Sequence, residues 1–267
     1  MGARVITITS GKGGVGKTTA TANLSVALAL SGLRVVAIDG DIGLRNLDVV
    51  MGLENRIVYD LVNVVEGSCR LRQAMIKDKH CEELYLIPAA QSRDKSAVTA
   101  QNMIDVCEQL RPDFDFVLID SPAGIEGGFR TAMAPADLVC IVTTPEVSSV
   151  RDADRVVGLV EAEEKGPAQL ILNRLRPLMV QRGDMLDTED VLDVLAIDLL
   201  GIVPEDEAII VSTNRGVPVA MENNSLAGHA FRNIAGRLTG QEVPFLDLAA
   251  KSSGSWFHNI SRLVRRS

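Results

Sequence analysis

Two lysines and two carboxylate clusters in this chain have the spacing of a phosphate-handling site. Ser10 to Thr19 reads S-G-K-G-G-V-G-K-T-T, which contains G-x-x-x-x-G-K-T. It follows the apolar run Val5–Thr9 and leads toward the helical pattern Asn23–Leu30. Strand, glycine-rich loop and helix in that order is the context a phosphate-binding loop requires. The backbone N–H groups of Gly13, Gly14, Val15, Gly16, Lys17, Thr18 and Thr19 would turn inward around phosphate oxygens, helped by the positive end of the helix dipole. Lys17 would reach the β- and γ-phosphates, and the Thr18 hydroxyl would ligate Mg²⁺. Lys12 stands at the start of the loop, too close to its backbone to reach over its own γ-phosphate. A lysine so placed is suited to the nucleotide of a facing subunit.

The carboxylates follow strands. Asp39-Gly40-Asp41 closes the run Val35–Asp39, and Asp120 closes Phe116–Asp120 ahead of Ser121-Pro122-Ala123-Gly124. An apolar run ending in Asp is the form of a Walker B site, so Asp120 is expected to hold Mg²⁺ directly or through water. Of the pair after the second strand, Asp41 is the better candidate for orienting the attacking water. It lies one step beyond the strand, in D-I-G-L-R-N-L-D. The Gly124 N–H is a candidate γ-phosphate sensor, and a loop held only by that group releases on hydrolysis. Asn173 offers an amide donor and acceptor suited to the adenine edge, and Pro204-Glu205-Asp206 would wall the base. The N/T-K-x-D motif of guanine sites is absent from the sequence. ATP with Mg²⁺ is therefore the expected ligand.

These loops need a scaffold that brings strand ends together. The 267 residues are 46% hydrophobic and 23% charged, enough for a large core. Continuous apolar runs at Val5–Thr9, Val35–Asp39, Leu84–Pro88, Phe116–Asp120, Leu138–Thr143, Leu170–Asn173 and Leu199–Val203 read as buried parallel strands. Helical patterns such as Thr99–Leu110 and Arg151–Glu163 lie between them. This rhythm predicts an α/β fold, a doubly wound, mostly parallel sheet with helices on both faces, as one domain over residues 1–248. Ligands of such sheets bind at the carboxyl ends of the strands. Cys69, Cys81, Cys107 and Cys140 are scattered, so neither a disulfide framework nor a zinc site is expected. A net charge of −8 argues against nucleic acid as the main partner. The first strand begins too early to leave room for a signal peptide.

The last residues read differently. A flexible polar joint is expected over 249–254, then an amphipathic helix over 255–267. At about 100° per residue, Trp256, Phe257, Ile260, Leu263 and Val264 share an arc of roughly 120°. Arg262, Arg265, Arg266 and His258 lie opposite. An apolar stripe with Trp and Phe against a basic face is the pattern of an interfacial helix on an anionic membrane surface.

Together the motifs resemble the MinD/ParA family of deviant Walker A P-loop ATPases. The matching stretches are K-G-G-V-G-K-T-T, D-I-G-L-R-N-L-D, V-Y-D-L-V-N-V, D-S-P-A-G-I-E, P-E-V-S-S-V-R-D-A-D-R, R-G-D-M-L and the basic amphipathic end, spread over nearly the whole chain. The resemblance implies a homodimer formed on ATP binding, with Lys12 crossing to the partner's ATP. It puts Asp41 in a first switch, near water and metal, and Asp120–Gly124 in a second. Asn173 falls at the adenine-contacting position. It further implies a slow ATPase of the cytoplasm, peripheral on the inner face of the cell membrane (or the stromal side of a plastid). That ATPase positions the division septum by recruiting MinC and cycles off when MinE or an equivalent topological factor stimulates hydrolysis. Asn46, Ser148 and Asp152 lie on stretches that contact such partners. Two alternatives stand beside this: a ParA-type DNA-segregation ATPase, which should carry a basic DNA-binding surface, and a nucleotide-gated membrane scaffold with negligible turnover. The V-R-R-S ending departs from the family's commoner Phe/Leu/Lys terminus.

Overall fold

The computed structural model describes residues 2–246 and Leu248. The expected joint and amphipathic helix, with Trp256, Phe257, Ile260, Arg262, Leu263, Val264, Arg265 and Arg266, lie outside the described residues. In chain order the first elements are β1 (Arg4–Thr9), α1 (Lys17–Leu30), β2 (Val35–Asp39), α2 (Leu47–Val50), α3 (Leu61–Val65) and α4 (Leu71–Ala74). Then come β3 (Ile76–Lys77), β4 (Leu84–Ile87), α5 (Ala100–Leu110), β5 (Phe116–Asp120), α6 (Gly127–Met133) and β6 (Leu138–Thr143). The rest is α7 (Val147–Ala162), β7 (Ala168–Leu175), α8 (Pro177–Gln181), α9 (Thr188–Leu195), β8 (Asp198–Pro204), α10 (Glu207–Asn214) and α11 (Leu226–Leu238).

The strands form one sheet in the order β3-β4-β2-β5-β1-β6-β7-β8. All pairs are parallel except β3 with β4. The central strands β2, β5 and β6 are buried on both faces, which is why their runs are continuously apolar rather than alternating. Along β6, Leu138, Cys140 and Val142 join the core under α1 and α11, while Val139 and Ile141 join the one under α7 and α9. A third core, around Val36, Ile38, Val117 and Ile119, is closed by Met103, Val106 and Cys107 of α5. From β1 the chain winds outward to β2 and β4, returns as β5, and crosses β1 to reach β6, β7 and β8. The loop after β1 therefore sits where the strand order reverses, the crevice at which such sheets bind ligands.

Two departures from the sequence reading concern the site, and a third lies at the far edge of the sheet. Helix α7 begins at Val147, four residues before the expected Arg151, so Ser148 and Asp152 both belong to its first turns. Strand β7 does not end at Asn173. It runs to Leu175 with a break in register between Leu172 and Leu175, and Arg174 there has φ 57°. The antiparallel edge strand β3 was not anticipated.

At the far end of the chain, Arg237 of α11 donates to the carbonyls of Leu200 (3.0 Å), Val243 (2.9 Å) and Pro244 (2.9 Å). Its guanidinium lies 4.1 Å from the centre of the Phe245 ring. Leu246 and Leu248 pack onto the cores beyond it. Among the described residues no helix is long and apolar enough to cross a membrane.

Candidate nucleotide-binding site

The loop between β1 and α1 is shaped by glycines that no other residue could replace. Gly14 and Gly16 have φ of 80° and 102°, a left-handed conformation that a Cβ strains. Gly11 and Gly16 are also crowded: a Cβ at Gly11 would collide with the Asp152 carbonyl, and one at Gly16 with the Asn173 amide. The loop is thereby seated against α7 on one side and β7 on the other. Gly16 caps α1 without a side-chain hydrogen bond. The first-turn N–H groups, including those of Lys17, Thr18 and Thr19, have no intrahelical partner and point toward the loop's concavity. Lys17 is buried, and burial lowers its pKa, opposed by the charges of Asp120 and Asp41. A buried ammonium facing two carboxylates and a cradle of N–H groups is suited to a polyanion.

The carboxyl ends of β2 and β5 lie side by side, with Asp39 in register with Asp120. Their roles differ. Asp39 accepts from the backbone N–H of Asp41 (3.0 Å), Asn46 (3.2 Å) and Leu47 (3.1 Å), so it builds the 41–47 loop rather than facing outward. Asp120 accepts from the Thr18 hydroxyl and, at 3.3 Å, from Thr21 Oγ1. Burial pushes both carboxyls above the usual carboxylate range, with the charge of Asp41 adding to it at Asp39 and the charge of Asp39 adding to it at Asp120. Asp41 is half-buried, and its Oδ1 has no hydrogen-bond partner. Its pKa is raised by burial, against the pull of Lys95 and Lys17. Thr18, Asp120 and Asp41 offer oxygen donors only, two of them acidic, which fits a hard divalent cation such as Mg²⁺.

On the other side of the loop, the bulge at Arg174 turns Asn173 under the loop. Its Nδ2 donates to the Val15 carbonyl at 2.8 Å, while Oδ1 is buried without a partner. A lone buried acceptor calls for a donor such as the 6-amino group of adenine, and would meet the 6-oxo group of guanine as a second acceptor. The expected wall Pro204-Glu205-Asp206 is corrected in part. Asp206 accepts from Ala208 N (2.9 Å), Ser225 Oγ (2.7 Å) and Ala227 N (3.2 Å), so its carboxylate caps α10 and ties it to α11. Those bonds hold its pKa low against burial. Pro204 is buried at the end of β8, and only Glu205 opens outward, paired with Arg176. Glu205, Arg174, Arg176, Glu146 and Met185 line a cavity of about 700 Å³ on this edge.

Lys12 does not share the cradle of Lys17. Its ammonium donates to Ser148 Oγ (3.1 Å) and lies 3.9 Å from Glu146, both at the start of α7. Ser148 is exposed, and Asp152, one turn on, pairs with Arg155 at 3.9 Å. Asn46 is exposed at the head of α2. The Gly124 N–H, expected to sense a γ-phosphate, donates to the Ser10 carbonyl at 3.2 Å. Around these loops, Leu44 (61% exposed), Ile125 (46%) and Val147 (56%) present apolar side chains to solvent. Lys95, which escaped the sequence reading, reaches Asp41 from a loop 54 residues further on; it carries no local motif, and only tertiary proximity marks it.

Comparison with known proteins agrees with this geometry. A family model described as the CobQ/CobB/MinD/ParA nucleotide binding domain matches residues 6–219. The septum site-determining protein MinD of Synechocystis sp. is 57% identical, over 98% of each chain. The MinC:MinD cell division protein complex of Aquifex aeolicus matches with TM-score 0.85 at 47% identity, covering 91% of this chain and 98% of that one. The septum site-determining protein MinD of Pyrococcus horikoshii, complexed with Mg-ADP, matches with TM-score 0.80 at 33% identity, over 88% and 96%.

Proposed function

The chain belongs to the MinD septum site-determining proteins of the CobQ/CobB/MinD/ParA nucleotide-binding family, and from that premise we propose that it is an ATPase whose ATP-bound dimer attaches to a membrane and directs septum placement. The observation that carries this reading is the division of labour between its two loop lysines. Lys17 is buried in the cradle, whereas Lys12 is turned out along α7 toward the face a second copy would approach. The exposed Leu44, Ile125 and Val147 on that face support an apolar contact between copies.

In this reading the first-turn N–H groups of α1 and Lys17 bind the phosphates, and the unpartnered Asn173 Oδ1 accepts from the adenine amino group. Thr18, Asp120 and Asp41 would hold Mg²⁺, which would supply positive charge to the phosphates. Asp41 orients a water for in-line addition to the γ-phosphorus, ADP leaves, and inorganic phosphate forms. Lys12 of the facing copy stabilises the charge of the transferring group, in the manner of an arginine finger. Asp39 takes no direct part; its three backbone bonds hold the loop that carries Asp41. Loss of the γ-phosphate withdraws what orders the two switch loops, and the dimer separates.

Residues 255–267 are the proposed membrane element. One short amphipathic segment binds weakly, whereas two joined in a dimer gain effective concentration, so attachment follows ATP. The Aquifex complex supports MinC as the recruited inhibitor. A MinE-like factor would set the release step, and the protein would work at the cytoplasmic side of the membrane. The test is co-sedimentation with anionic vesicles alongside light scattering, in ATP, ADP and no nucleotide. Vesicle binding and dimer mass confined to ATP are expected; a monomer in all three states, with the hydrolysis-impaired Asp41→Ala chain included, overturns the reading.

A further inference from the structure

Residues 90–99 bond to the first switch loop and share a cavity wall with the second, without supplying a phosphate or base ligand. The Gly43 N–H donates to the Ala90 carbonyl at 2.9 Å, which fastens the first switch to the start of this segment. Arg93 is anchored by Glu66 at 2.8 Å. Asp94 accepts from Ser96 N at 2.9 Å and so sets the short turn Lys95–Ala97. That turn presents Lys95 Nζ 3.9 Å from Asp41 Oδ1, the oxygen that lacks a hydrogen bond. On its other side, Asp94, Lys95, Ser96, Val98 and Thr99 form one wall of a cavity of about 450 Å³, faced by Pro122 and Ala123 of the second switch and by Glu126 at the start of α6.

We propose that Lys95 is a positioning residue for Asp41: its ammonium keeps the carboxylate turned to the phosphate mouth, so that the exposed 90–99 segment sets how well Asp41 is aimed. The physical need is plain. Asp41 stands between Gly40 and Gly43, in a loop whose backbone is held by Asp39 but whose own side chain has no hydrogen bond at Oδ1. Its other cation, Lys17, is the one that must turn to the phosphates. Lys95 is the lysine beside Asp41 that no phosphate claims, so it can restrain the side chain from the protein's side, and because its own side chain is 54% exposed it also answers to whatever touches this surface. This inference rests on the assignment of Asp41 to the attacking water.

A double-mutant cycle tests it, using the full chain with phosphatidylglycerol vesicles, phosphate release for kcat and KM, and a fluorescent ATP analogue for Kd. Lys95→Gln should lower kcat about two- to fivefold, the reach of a partly screened ion pair, with KM, Kd and melting temperature unchanged. Lys95→Arg should restore the rate. Asp41→Asn should lower kcat far more, and adding Lys95→Gln to it should cost nothing further. Multiplicative losses, a change confined to KM, or failure of the arginine variant to restore the rate would overturn the proposal. If Asp41→Asn is impaired while Lys95→Gln is not, this inference alone falls. If Asp41→Asn hydrolyses ATP like the parent chain, the assignment of Asp41 falls and takes this one with it.

Discussion

Asp41 and Asp206 each follow a strand on the carboxyl edge of the same sheet, and each was a candidate ligand residue, yet the fold uses them in opposite ways. Asp206 accepts from Ala208, Ser225 and Ala227 and is consumed by its own scaffold. Asp41 keeps an oxygen with no hydrogen bond, between the buried Lys17 and the half-exposed Lys95. Acids after strands are common because they cap the following helix. What separates a cap from a reactive group is whether its acceptor capacity is already spent. Asn173 repeats the lesson within one side chain, its amide nitrogen spent on Val15 and its oxygen held in reserve.

Substitutions can break or sharpen that contrast. The largest effect is expected at Lys17, where Lys17→Ala should abolish ATP binding in a titration, an affinity loss of about a hundredfold or more, while the far-UV dichroism stays that of the parent. Next is Asp41→Ala, which should slow phosphate release by about a hundredfold, in the range for loss of a general-base or water-orienting group. It should leave ATP binding intact, so that a long-lived dimer accumulates. If the contrast is right, Asp206→Ala does the reverse. Hydrolysis per folded molecule should be preserved while stability falls by about 2 kcal/mol, the sum of a lost cap and its tie to Ser225, read as a melting temperature roughly 4–8 °C lower. Asn173→Leu should narrow the preference for ATP over GTP by about tenfold, measured as a ratio of affinities. The smallest effect is in pH. Asp120 binds its proton more tightly in the folded chain than in the unfolded one. Its contribution to the metal-free protein is therefore present on the acid side and lost as pH rises through the folded value. Melting in EDTA should accordingly show a decline of about 1 kcal/mol or more from mildly acidic to neutral buffer, which Asp120→Asn reduces, the remainder belonging to Asp39, whose carboxyl is raised in the same direction.

The central strands were legible because burial on both faces leaves a local signature. Val35–Asp39, Phe116–Asp120 and Leu138–Thr143 match β2, β5 and β6 to the residue. The edge strand β3 spans two residues, Ile76 and Lys77, too few to show a period. The start of α7 was hidden by Val147, Ser148 and Ser149, weak helix formers whose place there is secured by tertiary bonds, Ser149 to Thr144 and Ser148 to Lys12. Within the site, the loop lysines and Asp120 announced themselves by spacing. Lys95 could not, since its meeting with Asp41 joins two loops far apart in sequence. Nor could the spent state of Asp206, because its partner Ser225 lies on another helix.

The clasp that Arg237 makes on Val243, Pro244 and Leu200 has a mechanical consequence. A tug delivered through the residues that follow Leu248 meets the packed side chains of Leu248 and Leu246, then that guanidinium and its seat over Phe245, before anything at the nucleotide edge. Arg237 bridges α11 and the outermost parallel strand, so the load is shared between two elements. Traction at the terminus would therefore drag the whole sheet as a unit and leave the timing of release to the phosphate edge.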